Sequence, residues 1–204
     1  MTDAAFWDKA APKYAKDPIS DMAGYTQTRD RIAQILQPHH AVLELGCGTG
    51  STALELAAGV ARYRGTDVSP QMIAIAQAKL TEQSPSQLSF AVQGAGAVPE
   101  GSHDVILALN LLHLLPDLEG VLRRIYQALP PGGVFIAKTG LLKDGLLILP
   151  WIIPVMRLVG KAPYVRNLGE AELLDMLKTV GFSVEETLVQ PGMVPRLFTV
   201  ARKP

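Results

Sequence analysis

The chain has 204 residues, 48% of them hydrophobic, and this length suffices for one domain with a sizeable buried core. It carries 19 Lys and Arg against 19 Asp and Glu, so it lacks an overall positive field that would hold a nucleic-acid backbone. We therefore expect a single domain over 1–204 and no nucleic-acid partner. Cys47 is the only cysteine, which excludes an internal disulfide and fits a reducing compartment. The N-terminal segment lacks the basic-then-apolar order of a secretory signal, so we expect a cytoplasmic protein.

Apolar runs of strand length alternate with longer segments of helical period, which predicts βαβ units around a parallel sheet. In chain order, strands are predicted over 41–45, 61–68, 88–94, 103–110 and 134–140. Helices are predicted over 51–60, 69–83, 116–133 and 167–182. Ser69 and Asn167 are the predicted N-caps of two helices, and Glu170 completes a capping box with Asn167. Two final strands, 183–189 and 196–203, lie too close together for a crossover helix and should pair antiparallel.

The segment LELGCGTG, Leu43 to Gly50, places glycines at alternate positions directly after the first predicted strand. Gly46, Gly48 and Gly50 permit a sharp strand-to-helix turn and let a ligand approach the backbone where a Cβ would intrude. A dinucleotide fingerprint has the order Gly-x-Gly-x-x-Gly, and here Ser51 stands where its third glycine would be, which disfavours NAD. No Gly-Lys-Ser/Thr ending is present, so a P-loop is excluded. The loop therefore indicates a ligand with an adenosine end and no phosphates to hold.

LELGCGTG resembles the first motif of class I S-adenosylmethionine-dependent methyltransferases of the small bacterial type, in which an acidic residue precedes Gly-x-Gly-x-Gly. TDVSPQMIAIAQAKL resembles the second-strand motif of this family, and HDVILALNLLHLL and LPPGGVFIAKT resemble its fourth-strand and fifth-strand segments. The likeness covers nearly the whole chain. It implies a Rossmann-like α/β fold with a seven-stranded sheet, mostly parallel with an antiparallel last strand, and helices on both faces. It also implies S-adenosyl-L-methionine as the cofactor.

The resemblance assigns Asp67, at the end of the second strand, to the two ribose hydroxyls. It lies about twenty residues after Gly46, where a ribose-binding carboxylate falls in this kind of sheet, and its two oxygens can accept from two vicinal hydroxyls. The alternative is an acid that only complements a helix dipole. In the family, the residue at Glu44 reaches toward the methionine amino group. The alternative for Glu44 is an acid satisfied by backbone amides of the loop.

The remaining cofactor-binding residues implied by the resemblance lie on the loops at the carboxyl ends of the strands and in the N-terminal segment. They are Tyr14, Tyr25, Gly46, Cys47, Gly48, Gly50, Val68, Met72, Gly94, Ala95, Asn110 and Leu111. Val68 and Met72 would line the adenine face or belong to the core, and Cys47 fits a small buried thiol better than a nucleophile. Many relatives carry an acid where this chain has Ala95, so adenine recognition would depend on the backbone amides of Gly94 to Gly96.

Residues 1–38 resemble the leader of small bacterial members, which folds as a helical lid across the cofactor. Tyr14 and Tyr25 would then approach the methionine carboxylate or the sulfonium. The alternative is that these tyrosines, with Phe6 and Trp7, simply pack on the domain. A lid makes physical sense for methyl transfer, because closing the site excludes water and fixes the line of attack.

His113 is a candidate catalytic residue, because it follows Asn110 at the carboxyl end of the fourth strand and its ordinary pKa suits a general base. The alternative is a histidine that only forms structural hydrogen bonds in an apolar turn. The other histidines are His39, His40 and His103. None of the four shows the spacing of metal ligands beside carboxylates, so no metal site is predicted.

The segment from Leu141 to Val165 is more apolar than one surface helix needs. Its uncharged run is too short to span a bilayer and contains Pro150 and Pro154. Three interpretations stay open: a lid that lines an apolar acceptor pocket, a segment that dips into a membrane surface, or a dimer contact. We favour the first, with Trp151, Met156 and Tyr164 as wall residues.

The sequence thus predicts methyl transfer from S-adenosylmethionine to a small, apolar acceptor at oxygen, nitrogen or carbon. Two other functions stay open: a non-catalytic Rossmann-like interaction module, and a methyltransferase that acts on a macromolecule. The glycine loop together with Asp67 disfavours the first, because an interaction module needs no ribose-binding carboxylate. Peripheral membrane contact and the oligomeric state are left open.

Overall fold

The computed structural model describes residues 3–99, 103–145 and 149–204, without the side chains of 3 and 149–151. One seven-stranded sheet has the order β3-β2-β1-β4-β5-β7-β6. Its strands are β1 (Ala41–Leu45), β2 (Arg62–Asp67), β3 (Leu88–Val92), β4 (Val105–Leu109), β5 (Val134–Gly140), β6 (Ser183–Gln190) and β7 (Arg196–Arg202). Strands β1 to β5 pair in parallel, whereas β7 runs antiparallel to both β5 and β6. The predicted fold class and the antiparallel pairing of the last strands are confirmed.

The helices are α1 (Asp3–Tyr14), α2 (Met22–Ile35), α3 (Ser51–Leu56), α4 (Pro70–Ala78), α5 (Leu118–Ala128), α6 (Leu149–Leu158) and α7 (Glu170–Val180). Short 3₁₀ turns cover Ala57–Gly59 and Leu112–Leu114. Side chains of successive strand residues point to opposite faces, so the strands contribute to two cores, one on each face of the sheet. One core packs α5 and α7 against the sheet, and the other packs α2, α3 and α4 against its opposite face.

Several predicted helix boundaries differ from the structure. The helix α4 begins as predicted, since the Ser69 side chain accepts from the Met72 amide, but it ends at Ala78 instead of residue 83. The predicted cap at Asn167 is wrong: the N-cap residue of α7 is Gly169, which makes no side-chain cap. The Glu170 amide instead donates to Asp144 Oδ2 at 2.7 Å. A carboxylate from the preceding loop therefore replaces the predicted capping box, a substitution that local sequence could not reveal.

The parallel topology gathers the functional segments at one edge of the sheet. The carboxyl ends of β1, β2 and β4 lie side by side, because β1 pairs with both β2 and β4. The order of strands reverses around β1, and ligands of such sheets bind at the carboxyl edge of this switch point. In the described part of the chain, no helix is long and apolar enough to cross a bilayer.

Candidate active site

The glycine loop after β1 has three residues in the left-handed region of backbone conformation, with φ of 66° at Gly46, 54° at Gly48 and 75° at Gly50. A Cβ at Gly46 would lie 2.9 Å from the Leu111 side chain, so this glycine is required by packing inside the protein. A Cβ at Gly48 would meet only the ring of Tyr14, at 3.8 Å. The middle of the loop is therefore the part that a ligand can approach closely.

Asp67 lies at the end of β2 with only 9% of its surface exposed. Its Oδ2 accepts from the Gly48 amide at 3.0 Å, and its Oδ1 accepts from the Ser69 amide at 2.8 Å. Burial raises the pKa of Asp67, while these two amide bonds lower it and favour the charged form. Each oxygen keeps an acceptor site after its amide bond, so the fixed carboxylate can still accept from two further donors.

Glu44 is buried beneath the loop and is 3% exposed. Its carboxyl accepts from the Tyr63 hydroxyl at 2.9 Å, and no amide bond to it is found among the described residues. The pKa of Glu44 is raised to about 7, chiefly by burial and also by the charge of Asp67, against the opposing effect of the Tyr63 bond. The alternative of an acid satisfied by loop amides thus does not describe Glu44. Tyr63 was missed in the sequence because nothing local marks a tyrosine in a buried strand as the partner of an acid.

The Cys47 side chain lies beneath the glycine loop, where its surroundings do not activate it as a nucleophile. A Cβ built on Gly65 would lie 3.0 Å from its sulfur, so the thiol fills space between the loop and β2. Burial raises the pKa of the Cys47 thiol, and the carboxylates of Glu44 and Asp67 raise it further. The thiol is therefore protonated at neutral pH and serves as a small packing group.

The N-terminal helix α1 packs on α4 and lies next to Asp67. Asp8 Oδ1 accepts from the Ser69 hydroxyl at 2.6 Å and from the Gln71 amide at 3.1 Å. At the other end of α1, the Tyr14 ring faces Gly48 although 55% of the residue remains exposed. Partial burial raises the pKa of Tyr14, and the carboxylates of Asp67 and Glu44 raise it further. The contact of Asp8 with Ser69 was not predicted from the sequence, because it depends on where α1 docks.

Tyr25 and helix α2 are held by other contacts than those of α1. The Tyr25 hydroxyl donates to Glu55 of α3 at 3.0 Å. Lys138, a buried residue on β5, donates to the Gly24 carbonyl and to the Thr28 hydroxyl, each at 3.0 Å. Burial lowers the pKa of Lys138, and the nearby Arg196 lowers it further. A buried ammonium on the central sheet thus holds α2 in place, a role that sequence analysis missed.

The carboxyl end of β4 carries backbone strain. Asn110 has φ of 55° and is the one non-glycine residue with positive φ in the described part of the chain. Its amide donates to the Lys138 carbonyl at 2.6 Å, and the following Leu111 covers Gly46. Conformations of this kind cost about 1 to 3 kcal/mol and concentrate at functional sites. Leu111 therefore lies against the glycine loop, and Asn110, which precedes it in the chain, is exposed.

The four residues predicted for the adenine side separate into two kinds. Val68 is 40% exposed beside Asp67, whereas Met72 is only 2% exposed and belongs to the buried interior. Gly94 has open space where a Cβ would stand, while Ala95 packs partly against a hydrophobic core. Val68 and Gly94 are thus accessible to a ligand, and Met72 supports the site from beneath.

His113 lies in the 3₁₀ turn after β4 and is bound tightly to β5. Its Nδ1 lies 2.9 Å from the Thr139 hydroxyl and accepts from the Gly140 amide at 3.3 Å. Because an amide donates to Nδ1, the neutral ring carries its proton on Nε2. The pKa of His113 is lowered to about 4, chiefly by burial and also by the charge of Arg196. These contacts describe a neutral structural histidine, with Nε2 as a donor.

A cavity of about 620 Å³ lies between α1 and residues 153–165, which comprise the second half of α6 and the segment after it. Its walls are mainly apolar and include Phe6, Ile153, Leu158 and Val165. Tyr164, a predicted wall residue, is one of the lining residues. Met156 is exposed and does not line this cavity. The side chain of Trp151, the third predicted wall residue, lies outside the described residues.

The outward side of α6 is also apolar. Ile152, Val155 and Val159 are exposed, with Val155 showing 61% of its surface. An exposed apolar stripe of this kind fits a membrane surface or another protein chain as well as a mobile cover. The side of this segment that faces the cavity bears on the lid interpretation, and its outward side bears on the membrane and dimer interpretations.

Among the described residues, no group of three His, Cys, Asp or Glu side chains could hold a metal ion.

Comparison with known proteins gives a family match over the region that contains the loop. A family model described as a methyltransferase domain matches residues 43–135. Over 98 residues the chain is 37% identical to demethylmenaquinone methyltransferase of Lactococcus lactis subsp. lactis, covering 46% of this chain and 39% of the relative. Over 106 residues it is 36% identical to trans-aconitate 2-methyltransferase of Methylobacterium radiotolerans, covering 50% of this chain and 39% of the relative. The matched segment thus spans about two-fifths of the length of these relatives.

A solved structure extends the similarity of fold to the full chain. The Haemonchus contortus phosphoethanolamine N-methyltransferase 2, in complex with phosphomonomethylethanolamine and S-adenosylhomocysteine, superposes with a TM-score of 0.78 at 17% identity. The superposition covers 100% of this chain and 61% of that protein. At this identity the likeness concerns the fold alone.

Proposed function

We propose that this chain is a class I S-adenosylmethionine-dependent methyltransferase and that it transfers the methyl group of S-adenosylmethionine to a small, mainly apolar acceptor. The acceptor would be held in the cavity between α1 and residues 153–165. The observation that carries the proposal is Asp67, a carboxylate fixed by two amides at the carboxyl edge of β2 with acceptor sites left free. This is the geometry that a ribose with two vicinal hydroxyls requires.

The residues present fit the cofactor. Gly48 leaves its side of the loop open, and the Asp67 carboxylate stands directly beside it. Val68 and Gly94 leave accessible apolar and backbone surface on the adenine side. Glu44 lies beneath the loop, where a cationic ligand would favour the charged form of its carboxyl. When bound, S-adenosylmethionine supplies a methyl group on a cationic sulfonium, which an in-line nucleophile takes as S-adenosylhomocysteine departs.

The protein's own contribution is to orient the reactants and to exclude water. Tyr14 covers the Gly48 part of the loop, and Asp8 attaches the same helix to Ser69. Because both contacts are next to ribose-binding Asp67, α1 would close the site as a lid over the cofactor. Holding two reactants in line replaces a bimolecular encounter and contributes most of the rate enhancement available without covalent catalysis.

We assign His113 a positioning role in place of the general base predicted from sequence. The amide of Gly140 occupies the Nδ1 lone pair, so Nε2 bears the proton and cannot accept one from the acceptor. The His113 carbonyl also accepts from the Arg166 amide at 2.7 Å. This bond connects the segment after α6 to the end of β4. The proton of the acceptor would therefore pass to solvent, or leave before binding.

The names of two relatives support a small acceptor. The Lactococcus lactis relative is a demethylmenaquinone methyltransferase, and the Methylobacterium radiotolerans relative acts on trans-aconitate, by their names. Both names refer to small molecules, one largely apolar and one anionic. The apolar walls of the cavity here favour an acceptor with a large apolar part. Within this proposal the chain is a single cytoplasmic domain, with no nucleic-acid partner.

The test is transfer of a tritiated methyl group from S-adenosylmethionine to 2-naphthol, 2-naphthylamine and 2-naphthoate. These share one apolar body and offer a hydroxyl, an amine and a carboxylate. We expect label in at least one product, and loss of that label in Asp67→Ala. Absence of label in all three, with S-adenosylhomocysteine still bound by the protein, would favour the non-catalytic interaction module, whose partner would cover the outward face of α6.

A further inference from the structure

We propose that the acceptor carries an anionic group, a carboxylate or one of similar size and charge, that pairs with the guanidinium of Arg157. This inference rests on the proposed function and narrows its substrate class. The acceptor is then an amphipathic acid, with its apolar body in the cavity and its charge at Arg157. No residue of the cofactor site takes part in this contact.

The first support is the charge pattern of the cavity. Of the ten described residues that line it, only Arg157 carries a charge, and the others are apolar apart from the Tyr164 hydroxyl. A wall of this composition favours ligands that are apolar over most of their surface, while a single cation selects which end of the ligand can be placed beside it. The volume of about 620 Å³ is ample for a two-ring aromatic acid.

The second support is that Arg157 is oriented but has no acidic partner. Its guanidinium carbon lies 5.1 Å from the centroid of the Tyr164 ring, in a cation–π contact. Within the part of the chain that the structure describes, no carboxylate lies within ion-pair distance of Arg157. Most other described arginines do have such a partner, including Arg166 at the edge of the same segment, which bonds Glu172 at 3.0 Å. The five N–H donors of Arg157 are thus held beside the cavity and available.

The third support is the energetics of an exposed guanidinium that borders an apolar cavity. Bonds between Arg and a carboxylate can be bidentate and are stronger than neutral hydrogen bonds, and they gain strength where water is partly excluded. A neutral ligand of the same shape would displace water from Arg157 without replacing its hydrogen bonds. An anionic ligand therefore has an advantage over its neutral isostere, and the contact with the Tyr164 ring keeps the guanidinium beside the cavity.

The fourth support is that both walls of the cavity connect to the cofactor site. Val165 precedes Arg166, whose amide donates to the His113 carbonyl beside the end of β4. On the opposite wall, Phe6 belongs to the same helix as Asp8, which bonds Ser69. An acceptor anchored by its charge at Arg157 therefore lies between the two elements that also frame the cofactor. The anchor restricts the acceptor to one orientation, which in-line transfer requires.

The experiment compares 2-naphthoate with 2-naphthamide, which share size and ring system but differ in charge. Binding of each is measured by fluorescence titration to the full chain, to Arg157→Gln and to Arg123→Gln. Arg123 is an exposed arginine on α5, outside the cavity, so its variant removes the same charge from a different place. We expect naphthoate to bind the unchanged protein about tenfold more tightly than naphthamide, which corresponds to about 1.4 kcal/mol.

This preference should fall below about twofold in Arg157→Gln and stay near tenfold in Arg123→Gln. Equal binding of the two probes, failure of both to bind, or a preference that survives in Arg157→Gln would overturn the inference. Titration of the same three proteins with S-adenosylhomocysteine separates this outcome from the proposed function. If S-adenosylhomocysteine binds but naphthoate is not preferred, only the anionic-acceptor inference is rejected. If the unchanged protein does not bind S-adenosylhomocysteine, the methyltransferase proposal is rejected.

Discussion

The two sides of the candidate site are built from different kinds of contact. On the cofactor side, Asp67 is held by the amides of Gly48 and Ser69 within a buried frame. On the acceptor side, α6 and the residues after it present an apolar wall with one charge, and much of that wall is exposed. The cofactor side is buried and polar, whereas the proposed acceptor side is apolar and partly exposed.

This difference follows from what each ligand demands. A cofactor that is the same in every turnover can be matched by backbone groups whose positions are set by the sheet, and such a site is legible in short motifs. An acceptor recognised by apolar packing needs volume and shape, which many combinations of residues can provide. Changes on the cofactor side should therefore have large and specific effects, and changes on the acceptor side smaller ones.

The largest effect is expected from Gly48→Val. Its φ of 54° suits no β-branched residue, and the new side chain would occupy the open face of the loop. We expect affinity for S-adenosylhomocysteine to fall by more than about 100-fold in calorimetry, or about 2.7 kcal/mol. Gly59→Val is the control, because a Cβ there meets nothing within 4 Å. Unchanged affinity in Gly48→Val would mean that the cofactor does not approach Gly48, and comparable losses in both variants would point to a general loss of structure.

The next largest effect is expected from Asp67→Asn. The amide keeps one acceptor oxygen but loses the charge that strengthens bonds to the ribose hydroxyls. We expect S-adenosylhomocysteine to bind about 2 kcal/mol more weakly, roughly 30-fold. Asp175→Asn, at an exposed position of α7, is the matched control and should bind as the unchanged protein does. Unchanged affinity in Asp67→Asn would remove this residue from the ribose site.

A smaller effect concerns the pH dependence of folding stability, to which buried histidines such as His113 contribute. In an unfolded chain a histidine titrates near pH 6.5, whereas burial lowers the pKa of both His113 and His103 to about 4 in the fold. Between these values the unfolded chain binds more protons. The stability contributed by the neutral rings is thus fully present above pH 6.5 and is lost as pH falls toward 4.

Urea unfolding at a series of pH values measures this loss, which should reach about 1 kcal/mol per pH unit for each histidine at its steepest. In His113→Asn the slope between pH 6.5 and 4 should decrease. His39→Asn removes the same ring from an exposed turn and should keep the slope. An equal decrease in both variants would show that the burial of His113 has no part in it.

The smallest effects are expected on α6. Val155→Ser should change the free energy of unfolding by less than about 0.5 kcal/mol, because the side chain is already exposed. Ile153→Ser, on the cavity side, should weaken 2-naphthoate about threefold or more through lost apolar contact. If Val155→Ser instead reduced sedimentation with anionic phospholipid vesicles, the membrane interpretation of this segment would gain support over the cover.

The sequence was sufficient for the parts of the fold and site that depend on local pattern. Alternating strands and helices predicted the sheet, and LELGCGTG with Asp67 predicted where the polar frame would form, because glycines and an acid at fixed spacing carry the needed geometry. Contacts between distant segments were not predictable. The Tyr63 bond to Glu44 exists only once β1 and β2 have paired, and the Asp8 bond to Ser69 and the Lys138 anchor of α2 exist only once the helices have docked.

The error at Asn167 has the same physical origin. Its position and the following Glu170 have the spacing of a capping box, but the helix begins one residue after Gly169, where Asp144 supplies the acceptor. The role of His113 was likewise decided by partners on another strand, Thr139 and Gly140. A histidine pattern in sequence shows a titratable group but does not show which nitrogen is free.

The most direct test of the central claim is isothermal titration of the purified full chain with S-adenosylhomocysteine. We predict saturable one-to-one binding with a dissociation constant of about 1 to 100 μM, or about 5 to 8 kcal/mol. Absence of heat up to about 1 mM ligand from a protein that unfolds cooperatively would contradict the claim. In that case the glycine loop and Asp67 would have to be explained without a nucleoside ligand.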